Sequence, residues 1–100
     1  MTATAREPDP DPADERLWRM LKALGHPVRL QILRCIADHP GCVCTEILYS
    51  LPDSCCRAQS TLSQHLKILR DADLIEGDGE GHITYYTVNQ QALDWLREQL

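Results

Sequence analysis

A mainly α chain with one small β-hairpin is what the sequence predicts, and three observations predict it. Apolar residues recur at helical spacing in four stretches before position 75 and in one more after position 90. Between them a glycine-rich loop leads into a β-branched and aromatic run, the pattern of a hairpin. The chain is 100 residues long and 43% hydrophobic, enough for a single domain with a modest core.

In chain order, residues 1–13 alternate Pro8, Pro10 and Pro12 with acids and read as a disordered, extended arm. The folded domain is expected over residues 14–100. Helical signals begin at Asp14, with Leu17, Met20, Leu21 and Leu24 at helical spacing, Trp18 beside them and Gly25 as a stop. His26 then precedes Pro27, which suits the first position of a second helix. Its buried face is expected from Leu30, Leu33, Ile36 and Ala37, and Pro40-Gly41 ends it. A third, shorter helix is expected over residues 45–51, with Ile47, Leu48 and Leu51 inward. Pro52-Asp53-Ser54 breaks the chain before a fourth.

That fourth stretch, residues 59–75, organises the rest. On a helix at about 100° per residue, Leu62, Leu66, Leu69 and Ala72 share one arc. Gln59, Ser60, Ser63, Gln64, Lys67 and Arg70 lie opposite. A face rich in amides and hydroxyls can read base edges as well as hold phosphates. Its competing reading is a plain solvated face. Two short helices, a connection and a helix with such a face make a helix-turn-helix. After it, residues 74–76 run into a loop at 77–81, and residues 82–88 supply the β-branched strand. Residues 90–100 return to helical spacing with Leu93, Leu96 and Leu100, plus Trp95. The order specifies a winged helix-turn-helix.

The formal charge of −5 weighs against nucleic acid, which favours basic proteins. Five of the acids, however, crowd into the first 15 residues, and the remainder is nearly balanced. No apolar run reaches the ~20 residues that span a bilayer, and no signal peptide is apparent. The expected compartment is the cytoplasm, with five cysteines held as thiols. Ser and Cys lack a nearby base and no phosphate loop follows a strand, so an enzyme is not expected.

From about Leu17 to Leu96 the chain resembles the ArsR/SmtB family of bacterial metal-responsive repressors. Three segments carry the resemblance: residues 24–33, LGHPVRLQIL; residues 59–69, QSTLSQHLKIL; and residues 81–86, GHITYY. It implies a symmetric dimer built from the first and last helices, bound to operator DNA until an inducer releases it. It also implies that Gln59, Ser60, Ser63 and Gln64 enter the major groove. Lys67, Arg70 and Arg57 back them, and His65 packs and orients the helix.

Cys42-Val43-Cys44 falls where the third helix should start. The unpaired amides of a helix N-terminus favour thiolate, the form that binds soft metals and metalloids. Side chains two apart on a helix diverge by ~200°, so both sulfurs reach one ion only through an irregular first turn. The resemblance is to the arsenic-responsive branch, whose third cysteine falls at the position of Ile47 here. Cys55-Cys56, in a long connection, offers a replacement. Trivalent arsenic or antimony on Cys42, Cys44 and one of Cys55 and Cys56 is therefore the expected inducer. Cys35 is expected to act as a small, semi-buried hydrophobe. The alternatives are a cadmium, zinc or lead sensor using all four of those cysteines, a redox or persulfide-sensing repressor, and a dimeric scaffold. His26, His39 and His82 read as structural or solvated.

Overall fold

The computed structural model describes residues 12–51, 59–79 and 83–100. Among them five helices and one hairpin follow in the expected order. They are α1 (Pro12–Leu24), α2 (Pro27–Asp38), α3 (Cys44–Ser50), α4 (Gln59–Asp71), β1 (Ile75–Asp78), β2 (Tyr85–Val88) and α5 (Gln90–Gln99). Residues 1–11, the segment 52–58 with Cys55, Cys56 and Arg57, and residues 80–82 with His82 lie outside that description.

Local chemistry accounts for the boundaries. α1 starts at Pro12, ahead of the expected Asp14, because a proline costs nothing in a first turn whose amides lack partners anyway. His26 caps α2: its backbone is extended and its Nδ1 accepts from the Val28 amide at 3.1 Å, with Pro27 following. Asn89 caps α5 in the same way, its Oδ1 accepting from the Ala92 amide at 3.2 Å. α4 stops at Asp71 rather than running on through Ile75. Asp73 adopts a left-handed φ of 63°, its amide donates to the Arg70 carbonyl and the Leu74 amide to that of Leu69. Those two bonds close a Schellman motif, and buried Leu74 and Leu69 provide its apolar contact.

Strand β1 therefore takes in Gly77 and Asp78, which sequence reading placed in the loop. It pairs antiparallel with β2, Ile75 opposite Val88 and Gly77 opposite Tyr86. A side chain at 77 would be tightly packed. A Cβ there would stand 3.0 Å from the Thr84 methyl, 3.3 Å from the Tyr86 ring and 3.4 Å from the Arg70 guanidinium.

The core takes Leu62, Leu66, Leu69 and Ala72 from α4 as expected, joined by Met20, Ile32, Leu33, Ile36, Ile47, Leu51 and Leu96. At about 1.5–3 kcal/mol per fully buried aliphatic side chain, the α4 arc is a main source of stability. Two expectations fail. On α2 Ala37 is exposed and Leu30 only half-buried, while Ile32 joins the core, because the helix turns the arc of Ile32, Leu33 and Ile36 inward. Leu51 is buried as the C-cap of α3 rather than within it. None of the described helices is long and apolar enough to cross a membrane.

Candidate nucleic-acid interface and thiol cluster

The polar face of α4 is presented to solvent. Ser60, Ser63, Gln64, Lys67 and Arg70 are exposed, while the opposite arc is buried. Gln59 is the first residue of the helix. Lys67 pairs with Asp71 one turn on, Nζ to Oδ2 at 3.1 Å with both side chains largely exposed, an arrangement that contributes little to stability. Arg70 differs from the others because its guanidinium donates to the Tyr86 hydroxyl of the wing.

His65 sits at the margin between these faces and packs as expected. Its ring centroid lies 4.9 Å from that of His26, and Arg29 Nη1 donates to its Nδ1 at 3.4 Å. Arg29 also ties α1 to α2, with Nε donating to the Ala23 carbonyl at 2.6 Å. Burial, then the neighbouring His26 and Arg29, hold the His65 imidazole below its ordinary value of 6.5. Between the lowered and ordinary values the unfolded chain binds more protons, so stability rises with pH through that window. The urea midpoint should therefore fall as pH is lowered from 7 to 5, and His65→Gln should flatten that dependence. An unchanged slope in the variant would remove His65 from the account.

Two of the thiols, Cys42 and Cys44, sit at the entry to α3. Gly41, at φ 83°, turns the chain so that its amide donates to the Tyr86 carbonyl at 2.8 Å. The Tyr86 amide returns a bond to the Cys42 carbonyl at 2.9 Å. Cys42 thus lies in a β-bridge against the wing, before the helix and not in its first turn. Val43 is the extended N-cap, its amide donating to Glu46 Oε1 at 2.9 Å, and Cys44 is the first helical residue. The extended Val43 makes the entry to α3 depart from a regular helical turn.

The expected ionisation of Cys42 is overturned. Only 5% of its surface is exposed, and its thiol is pushed up to about 11 by burial, by the Cys35 thiol beside it and by Glu46. Desolvation outweighs any favourable field from the helix end because Cys42 precedes the helix and points into the core. Cys35, read from sequence as a small hydrophobe, is half-buried but hydrogen-bonds the Cys42 thiol. The backbone explains the meeting. The His39 amide donates to the Cys35 carbonyl at 3.0 Å, and the Cys42 amide donates to the His39 carbonyl at 3.1 Å, folding residue 42 back over the last turn of α2. A spacing of seven across a Pro-Gly turn is the sequence signal that goes with it.

Cys44 lines a groove of about 550 Å³ with Val43, Thr45, Ile83 and Tyr85. It lies near enough to the Tyr86 phenol to resist its ionisation, adding to the upward push of burial while Arg70 opposes both. Among the described residues no three Cys, His, Asp or Glu side chains converge to hold a metal ion. The structure therefore brings together Cys35 with Cys42, and Cys44 with Tyr86 and, through its hydroxyl, Arg70.

Comparison with known proteins places these features. A helix-turn-helix domain family matches residues 24–78. The chain is 33% identical over 86 residues to the arsenical resistance operon repressor of Staphylococcus xylosus, covering 86% of this chain and 78% of that protein. It is 38% identical over 78 residues to the protein of the same name from Bacillus subtilis strain 168, covering 75% and 68%. An ArsR-like transcriptional regulator from Rhodococcus sp. RHA1 superposes with a TM-score of 0.73 at 20% identity, over 86% of this chain and 76% of that one, which shows the shared fold. The helix order, the hairpin wing and these relatives together show that the chain belongs to the ArsR family of DNA-binding, winged helix-turn-helix transcriptional regulators, which are not enzymes.

Proposed function

We propose that the chain is a repressor that holds operator DNA as a homodimer and is released when As(III) or Sb(III) binds its cysteines. In this reading Cys42 and Cys44 supply two sulfurs, and one of Cys55 and Cys56 supplies the third. The observation that carries it is the backbone bridge from Cys42 to Tyr86, whose hydroxyl in turn holds Arg70 of α4. Ligation at the α3 entry moves a segment that is hydrogen-bonded to the wing and, through it, to the reading helix. The names of the two curated relatives support a metalloid as the inducer. So does the chemistry of the thiols. Arsenous acid exchanges its hydroxyls for sulfur, each S–H proton leaving with one hydroxyl as water while an As–S bond forms. The protonated Cys42 is a competent reactant in that exchange, whereas a divalent cation must first expel the proton.

Operator recognition rests on Gln59, Ser60, Ser63 and Gln64 at base edges, with Lys67, Arg57 and Arg70 on phosphates. Ser63→Ala and Gln59→Ala should each weaken specific binding by ~1–3 kcal/mol for every base edge the variant no longer reads. Lys67→Ala should weaken binding to all sequences alike and flatten the salt dependence. Operator affinity unchanged in the Gln59 and Ser63 variants would sink the reading face.

The dimer uses α1 and α5, which already touch through Arg16, stacked 4.2 Å from the Trp95 ring centroid. Trp18, Leu21 and Leu100 remain 51%, 42% and 83% exposed around them. A two-fold axis there sets the reading helices about one DNA turn apart, ~34 Å, on an inverted repeat. Sedimentation of a folded monomer at micromolar concentration would contradict it. The whole reading is tested by selecting an operator duplex from random DNA with reduced protein. Its release is then titrated with arsenite, antimonite, cadmium, zinc and lead. Release by arsenite or antimonite at the lowest concentrations is expected, and release by a divalent metal alone would replace the metalloid.

A further inference from the structure

We propose that Cys35 and Cys42 form a second, metalloid-independent input, a dithiol that a hydroperoxide closes to a disulfide and that loosens the wing. The two thiols are hydrogen-bonded, both are free, and the backbone links through His39 hold residue 42 over residue 35. They come from different elements, so a bond between them acts on their relative position. Access is from the Cys35 side, where a surface pocket of about 300 Å³ is lined by Cys35, Arg34, His39 and Ser50. Cys42 is buried behind it.

The electrons balance in two steps. The Cys35 sulfur attacks the peroxide O–O bond, which breaks, giving a sulfenic acid and water. The Cys42 thiol then attacks that sulfur, forming the S–S bond and expelling the hydroxyl, which takes the thiol proton and leaves as a second water. Peroxide gains two electrons and the dithiol loses two.

A hydrogen-bonded pair of sulfurs must shorten to about 2.05 Å to bond. The backbone of Cys42 cannot follow its sulfur toward α2 alone, because its carbonyl accepts from the Tyr86 amide and the neighbouring Gly41 amide donates to the Tyr86 carbonyl. Either that bridge breaks or β2 follows it, and Tyr86 carries the hydroxyl that holds Arg70 of α4.

The test uses the full chain with Cys55→Ser and Cys56→Ser, so that Cys35, Cys42 and Cys44 remain, and no metalloid is added. Hydrogen peroxide should remove two hydrogens from the intact protomer mass and join the peptides carrying Cys35 and Cys42. Affinity for the selected operator duplex should fall at least tenfold and return with dithiothreitol. Cys35→Ser should abolish both changes, while Cys44→Ser should leave them intact. Linkage of Cys42 to Cys44, disulfides only between protomers, or sulfinate without linkage would overturn the pair. Linkage with unchanged operator affinity would overturn its action on the wing. Because arsenite is absent throughout, failure of the metalloid reading leaves these outcomes unaffected.

Discussion

Cys42→Ser and Cys44→Ser should each yield a protein that binds the operator as tightly as the parent and no longer releases it with arsenite. Serine is the nearest isostere, slightly smaller and able to hydrogen-bond, and the bridge to Tyr86 is made by the backbone of Cys42, so the fold should survive both changes. What disappears is a soft ligand. Removing even the groups that support a ligand weakens metal binding by about 10–100-fold. Removing the ligand itself should raise the half-release concentration by more than about a hundredfold. Coupling requires that arsenite bind the released form more tightly than the bound form, so binding and release must be measured separately. Cys35→Ser should still respond to arsenite. Cys55 and Cys56 can replace each other, so their double substitution is the decisive one. Parent-like release by that double variant would confine the site to Cys42 and Cys44, and parent-like release by Cys42→Ser would remove the site altogether.

The second large effect is on stability, at Leu69. It is fully buried, it anchors α4 to the core, and its carbonyl and side chain both take part in the Schellman stop. Leu69→Ala should cost about 2–5 kcal/mol, since the helix and hairpin around it are tied by other contacts and cannot collapse into the void. Against the roughly 5–15 kcal/mol of a whole domain this is a large fraction. At ~4–8 °C per kcal/mol for a chain of this size, the Tm should drop by about 10 °C or more. Because dimerisation contributes to apparent stability, parent and variant are compared at one protomer concentration. An unfolding free energy within about 0.5 kcal/mol of the parent would show that Leu69 is not a core residue. Ser63→Ala, on the opposite face of the same helix, should leave the midpoint unchanged while weakening operator binding. The pair of variants thereby separates folding from reading.

Much of the molecule is legible in one dimension because the signals are local. The spacing of Leu62, Leu66, Leu69 and Ala72 alone specifies which face of α4 is buried, and so which face carries Ser60, Ser63, Gln64 and Lys67 outward. His26 before Pro27 marks the start of α2 through a cap made within three residues. Glycines and β-branched residues mark the hairpin, although Gly77 belongs to the strand, where Thr84, Tyr86 and Arg70 crowd the space a side chain would take.

What the sequence by itself determined, then, is the order of elements, the amphipathic face of the reading helix and the presence of cysteines at the α3 entry. Tertiary structure decided the state and the company of those cysteines. Periodicity cannot say that Cys42 leaves the helix for a bridge with Tyr86, because that bridge joins residues more than forty apart. Nor can it say that Cys35 meets Cys42, since a turn with positive φ at Gly41 directs the chain back over α2. A helix N-terminus favours thiolate only where water or amides reach the sulfur. Once packing buried Cys42 beside the Cys35 thiol, desolvation outweighed the field of the helix, and that balance is set by three-dimensional burial rather than by position in the chain.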